Sequence, residues 1–182
     1  RTDIYIESTN TTIKLLAFNY KKSDGLNPSC VICDEVASWS GDGGLKQYEV
    51  IKSALGSRKQ PLIVNISTSG YVDESIYDEL IRRSTRVING DSRENRLAPF
   101  LYMIDDIEKW NDINELQKSN PNLGISVSVD YLLDEIAIAE GSLSKKMEFL
   151  TKYCNIKQNS SQAWLPTQDI LKCCGEHKDL EE

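Results

Sequence analysis

The run Ser29-Cys30-Val31-Ile32-Cys33-Asp34-Glu35 is apolar until it stops in two adjacent carboxylates. Further on, Leu62-Ile63-Val64-Asn65-Ile66-Ser67-Thr68-Ser69-Gly70 repeats the plan, with hydroxyls where the first run has acids. Both segments read as buried strands of a parallel sheet, each ending in polar residues where such sheets bind ligands. A strand that delivers Asp-Glu to a sheet edge is the acidic half of a nucleotide-hydrolysing site: one carboxylate helps to hold Mg²⁺ and the other polarises the attacking water. The phosphate-cradling loop G-x-x-x-x-G-K-[ST] occurs nowhere in the chain, so the other half of such a site is not written here. That mismatch points to a piece of a larger motor protein.

Length and charge narrow the alternatives. The 182 residues suffice for one full-sized core, or one core plus a small appendage. A formal charge of −7 argues against a large basic surface and makes this piece alone a poor nucleic-acid binder. No apolar stretch approaches the ~18–20 residues that span a bilayer, and no signal peptide is visible, so no membrane is expected. The first residue is Arg1, which suggests excision from a longer protein. Five cysteines, an odd number at irregular spacings, give no disulfide framework and point to a reducing cytosol. Cys30 and Cys33 form a C-x-x-C, but residues three apart in a strand face opposite ways and do not easily chelate one ion. They read as two small buried hydrophobes. Cys173 and Cys174 have no zinc-spaced partners, and the only histidine, His177, sits in a charged tail, so Ser-His-Asp or Cys-His catalysis has no support.

Along the chain, Ile4–Glu7 and Thr12–Phe18 are β-prone runs joined by Ser8-Thr9-Asn10, as in a hairpin or adjacent strands. Gly41, Gly43 and Gly44 read as a flexible polar segment before an amphipathic helix over Leu45–Leu55, capped by Gly56. Pro61 opens the second strand. Asp73 is positioned to cap a helix running to about Asn89, with Ile76, Leu80, Val87 and Ile88 facing inward. Ala98–Ile104 looks like a last strand. This alternation is the signature of an α/β domain. From Asp105-Asp106 to Tyr153 the pattern turns helical and acidic, broken at Asn120-Pro121-Asn122-Leu123-Gly124 and again at Gly141-Ser142.

In this order the elements resemble the large subunit of tailed-phage terminases of the HK97-like type. The likeness is carried by Asp24-Gly25-Leu26-Asn27-Pro28 leading into Val31-Ile32-Cys33-Asp34-Glu35, and by Arg58-Lys59-Gln60-Pro61-Leu62 leading into Ile66-Ser67-Thr68-Ser69-Gly70. Trp110, the Asn120–Gly124 break and the segment from Asn155 to Trp164 add to it. The resemblance implies an α/β fold: the C-terminal half of a P-loop (ASCE-type) ATPase sheet followed by a small helical linker subdomain. Residues 1–107 would be the later part of the ATPase domain, 108–165 the linker, and 166–182 the lead-in to an absent nuclease domain. The parent would be an ATP-driven motor, working with Mg²⁺ as a ring homo-oligomer in the cytoplasm of a bacterial host. It would package double-stranded viral DNA with a portal protein and a terminase small subunit, and cut it through the nuclease. The fragment itself is expected to be inactive.

The resemblance also assigns roles. Asp34 matches the Walker B aspartate that coordinates Mg²⁺ and so binds the nucleotide complex; Glu35 matches the catalytic glutamate. Ser67, Thr68 and Ser69 match a coupling motif that senses the γ-phosphate. Arg58, and more weakly Arg82 and Arg83, are candidates for an arginine finger offered to a neighbouring subunit. Asp105, Asp106, Glu108 and Asp112 suggest a nuclease site but read as a solvated hinge, and Trp110, Tyr153 and Trp164 as anchors of the linker helices to the ATPase core. Two other readings stay open. One is a helicase-type ATPase fragment, since Asp-Glu followed by Ser-Thr-Ser echoes helicase motifs. The other is a non-catalytic α/β interaction module with structural carboxylates.

Overall fold

A computed structural model describes residues 3–19, 25–71 and 75–158. Asp24, Asp73, Trp164, Cys173, Cys174 and His177 lie outside the described residues. Contacts divide the described chain into two compact units. One runs to Ser67 and takes back a segment ending at Arg82; the other holds the residues just after Ser67 and those from Arg83 onward.

In the first unit a short hairpin pairs β1 (Ile4–Ile6) antiparallel with β2 (Thr11–Ile13). The connection is a single 3₁₀ turn over Glu7–Thr9 closed by Asn10 at φ 50°. This left-handed conformation suits Asn better than most side chains. β3 (Cys30–Asp34) and β4 (Leu62–Ile66) then pair parallel and in register, from Cys30 beside Leu62 to Asp34 beside Ile66. Between them in sequence runs α1 (Gly41–Ala54), and after them comes α2 (Ile76–Ile88), which the first unit holds as far as Arg82 and the second from Arg83. Tyr48, Ile51, Leu55, Ile76 and Leu80 pack with Cys33 and Val36 into one apolar cluster.

Three expectations fail in this unit. The strands are not buried on both faces: Cys33 is covered, but Ile32, Leu62 and Ile66 are each more than half exposed. The helical cluster covers the side that bears Cys33, and the side that bears Ile32, Leu62 and Ile66 is left largely open. Residues 41–44 are not a flexible lead-in but the first turn of α1, with Gly44 N–H donating to Ser40 O at 3.3 Å. On α2, Ile88 is exposed and Ser84 is buried, because the buried stripe ends a turn early. Ser75 starts this helix, its N–H and hydroxyl both donating to Asp78 Oδ2 (3.0 and 3.2 Å), so a first-turn carboxylate satisfies the donors at the helix start.

The second unit is helical: α3 (Ile113–Ser119), α4 (Val129–Glu140) and α5 (Leu143–Lys152). Trp110, Leu116, Leu132, Ile136, Phe149 and Cys154 form its core. Trp110 meets Phe149 edge to face at 5.5 Å, and Phe149 packs on Tyr153 at 4.9 Å. Trp110 and Tyr153 thus pack within the helical unit itself, whereas the sequence reading makes them anchors of these helices to the ATPase core. The break at Asn120 is fixed by its amide, which donates to Leu116 O, Ser119 Oγ and Tyr153 O. Ala98–Ile104 is not a strand. A β-prone run needs a neighbour for its ladder. Here its bonds go instead to the chain after α5: Ile104 N–H to Cys154 O at 3.3 Å and Asn155 Nδ2 to Tyr102 O at 2.8 Å.

The acids of this unit are used as local structure. Asp106 accepts from Glu108 N–H at 3.0 Å and Asp112 from Asn114 N–H at 2.9 Å, capping a 3₁₀ turn and α3 respectively. Glu115 is buried; its carboxylate takes Lys118 Nζ at 2.8 Å and the N–H groups of Asp105 and Asp106 at 2.6 and 3.1 Å. Lys118, then the two N–H donors, hold its pKa down from 4.5 to about 2. A carboxyl whose folded value lies below its unfolded one stabilises fully above the unfolded value and loses that contribution as pH falls through the folded one. We expect the stability gap between wild type and Glu115→Gln, read by urea unfolding, to be widest above pH 5 and to close between about pH 4.5 and 2; a pH-independent gap contradicts it. Phe149→Ala should cost the second unit about 3–5 kcal/mol in the same assay.

Candidate functional site

The register of β3 and β4 sets the geometry. Asp34 and Ile66 are the last paired residues, so the chain leaves the sheet at Glu35 on one strand and at Ser67 on its neighbour. Asp34 is exposed, and its Oδ1 accepts the N–H of Glu35 at 3.0 Å. Glu35 is also exposed and takes the left-handed conformation, φ 50° and ψ 49°. Next comes a single 3₁₀ turn over Val36–Ser38, with Val36 and Ala37 buried beneath it. The Glu35 carbonyl accepts the N–H of Ser38 at 2.9 Å and its hydroxyl at 2.7 Å. Trp39 closes the turn: its N–H donates to Val36 O and its indole Nε1–H to Asp34 O at 3.2 Å, while Phe18 meets the ring edge-on at 5.2 Å.

Ser67 joins this turn. Its hydroxyl oxygen accepts the Ala37 N–H at 2.9 Å, so the strand-end hydroxyl of β4 is tied to the loop after the acids of β3. The acid pair and Ser67 are therefore brought together. Ser69 is not part of that group: it is buried in the second unit and donates to Thr151 O on α5 at 2.8 Å. Thr68, exposed, stands where the chain passes from one unit to the other. Arg58 is engaged elsewhere in the first unit. Its guanidinium donates to the carbonyls of Asn27 and Pro28, and Ser57 Oγ donates to Asn27 Oδ1 at 3.0 Å. It clamps the loop before β3 to the loop before β4. Arg83 lies against Glu94, with Nη2 2.6 Å from Oε2.

Burial alone pushes the Cys33 thiol up to about 11. Cys30 is exposed while Cys33 is buried, so only Cys33 is the buried hydrophobe expected of both, because alternation along the strand turns Cys30 to the other face. Among the described residues no group of three or more His, Cys, Asp or Glu is placed to hold a metal ion. A single strand-end carboxylate fits Mg²⁺ held through one or two acids, waters and phosphate oxygens, rather than a protein cage. No helix among the described residues is long and apolar enough to cross a membrane.

Ser38 carries no signal in the sequence, and Gly44 reads as part of a flexible segment. A Cβ on Gly44 would sit 2.4 Å from the Trp39 carbonyl oxygen, so α1 approaches the turn through a hydrogen atom. The glycine cluster after a strand-end acid pair was the available signal, and it reads equally well as a loop.

Two family models match the chain: the terminase large subunit ATPase domain over residues 1–86 and the terminase large subunit endonuclease domain over residues 93–181. Protein YmfN of Escherichia coli (strain K12) is 29% identical over 163 residues, covering 89% of this chain and 35% of that protein. The crystal structure of the HK97 bacteriophage large terminase has a similar mixed α/β fold. The match has a TM-score of 0.66 at 21% identity, over 81% of this chain and 30% of that one. The chain thus spans about a third of the length of each.

Two substitutions test the turn. Gly44→Ala should destabilise the first unit by about 1–3 kcal/mol, the usual cost of forcing atoms into packed backbone. Ser67→Ala strands the N–H of buried Ala37 and should cost about 1–3 kcal/mol. Urea midpoints within error of wild type for both count against this geometry.

Proposed function

The chain belongs to the terminase large subunit family, and from that premise we propose that it is part of the ATP-driven motor that packages phage DNA and cuts it. The observation that carries this reading is the parallel pair ending in Asp34-Glu35, with Ser67 of the adjacent strand bonded into the turn behind the acids. Within a P-loop (ASCE-type) ATPase sheet, Asp34 would hold Mg²⁺ or one of its waters through the carboxylate that already accepts the Glu35 N–H. Glu35 orients the attacking water and takes its proton. Ser67 holds the turn that bears both acids, and with Thr68 relates the state of the γ-phosphate to the chain beyond β4, whereas Ser69, bonded to Thr151 O, takes no part. Bound Mg²⁺·ATP supplies the phosphoryl group and neutralises its developing charge. The phosphate loop is not in this sequence, so hydrolysis is expected only of the longer protein, and the fragment is proposed to be inactive alone.

We propose residues 1–107 as the later part of the ATPase domain, 108–165 as a helical linker and 166–182 as the approach to the nuclease. The use of Asp106 and Asp112 as caps supports a linker. The endonuclease match over 93–181 favours a second reading, in which the helical unit belongs to the cutting domain. Asp105→Asn and Asp106→Asn in the full-length protein separate them: unchanged Mn²⁺-dependent DNA cleavage supports the linker, and lost cleavage the second reading. With a charge of −7 on this piece, the grip on double-stranded DNA belongs elsewhere in the parent. The portal, the small subunit, a ring of like subunits and the host cytoplasm belong to the same proposal.

In the full-length protein, Glu35→Gln should bind ATP·Mg²⁺ normally yet lose about 10²–10⁴-fold in hydrolysis, the range of a general base; wild-type turnover would remove the assignment. Thr68→Val should leave nucleotide affinity intact and uncouple hydrolysis from DNA movement, whereas lost nucleotide binding would contradict the role. For Arg58 to act as a finger it must leave the Asn27 and Pro28 carbonyls. Wild-type hydrolysis by Arg58→Ala alone would dismiss it.

A further inference from the structure

Glu35 stands in a conformation its side chain does not favour. A non-glycine residue in the left-handed region is uncommon, and the few residues enriched there are Asn, Asp and His; such residues persist only where their surroundings over-determine them. The surroundings at Glu35 are specific. Its carbonyl carries two donors from one residue, the N–H of Ser38 at 2.9 Å and the Ser38 hydroxyl at 2.7 Å. The backbone bond closes any turn of this type, but the hydroxyl bond is supplied by the side chain at position 38 alone.

The conformation bears on chemistry as well as on shape. Along a strand, successive side chains face opposite ways, so a continuing β3 would separate the carboxylates of Asp34 and Glu35. The left-handed residue ends that alternation between the two acids. We propose that Ser38 is a positioning residue for Glu35, holding its backbone left-handed through the hydroxyl bond to its carbonyl so that the carboxylate serves the same site as Asp34. This rests on Glu35 being the group that activates water. Ser38 touches neither nucleotide nor water; it acts through Glu35.

The test uses the full-length protein with three variants: Glu35→Gln, Ser38→Ala and Ser38→Thr. Loss of one hydrogen bond corresponds to roughly three- to tenfold in an equilibrium, so Ser38→Ala should lower kcat about three- to tenfold. KM for ATP, affinity for a non-hydrolysable ATP analogue with Mg²⁺, and Tm should stay at wild-type values. Ser38→Thr, which keeps the hydroxyl, should restore kcat. If Ser38→Ala unfolds, Ser38→Thr and Ser38→Cys carry the comparison, the thiol being the poorer donor and expected to be slower. Three outcomes overturn the proposal: a wild-type kcat for the variant lacking the hydroxyl while Glu35→Gln is inactive, a Thr variant as slow as Ala, or a loss confined to analogue affinity. Wild-type turnover by Glu35→Gln removes the underlying assignment instead, and the proposal with it.

Discussion

The in-register parallel pairing of Cys30–Asp34 with Leu62–Ile66 is the constraint from which the candidate site arises. Parallel strands point their C-terminal ends the same way, so the residues after each strand emerge at one edge. Here carboxylates end one strand and hydroxyls come after the other. A slip of one residue would send Cys33 to the open face and its neighbours inward, breaking the cluster it forms with Tyr48, Ile51 and Leu55. Register and core therefore specify each other. The Arg58 clamp on Asn27 and Pro28 fixes the other end of the same pair, where both strands begin.

Charge has two uses in this chain. At the sheet edge, Asp34 and Glu35 are exposed, and their backbones rather than their carboxylates carry most of the local bonding. In the helical unit the acids are structural: Asp106 and Asp112 satisfy N–H groups that helix starts leave unpaired, and buried Glu115 accepts three donors. Clustered acids near Asp105 are the same residue types a metal site would need. Their bonding partners set them apart, and no count of carboxylates does so.

Much of this was legible from the residues. Both strands, the helices and the break at Asn120 come from apolar period and turn chemistry, and the acid pair stands out because an apolar run ends on it. The illegible parts depended on neighbours. Ala98–Ile104 has the composition of a strand but lacks one beside it among the described residues, and pairing is not a property of a single segment. Gly41–Gly44 has the composition of a loop, yet helical contact with Trp39 requires a residue without a side chain at Gly44. Ile32, Leu62 and Ile66 read as core because burial was inferred from hydrophobicity, whereas coverage depends on what lies on each face. Ser38 carried no motif at all; its role rests on one hydrogen bond to a carbonyl three residues back.

The left-handed backbone at Glu35 has a consequence for how this sequence tolerates drift. Gly fits that conformation without steric cost, and Asn visits it more readily than Glu. Folding alone would reward either replacement, so a glutamate here is held against the preference of its own main chain. A lineage that no longer needed the carboxylate would gain stability by losing it, and position 35 would be among the first in the strand-end turn to change.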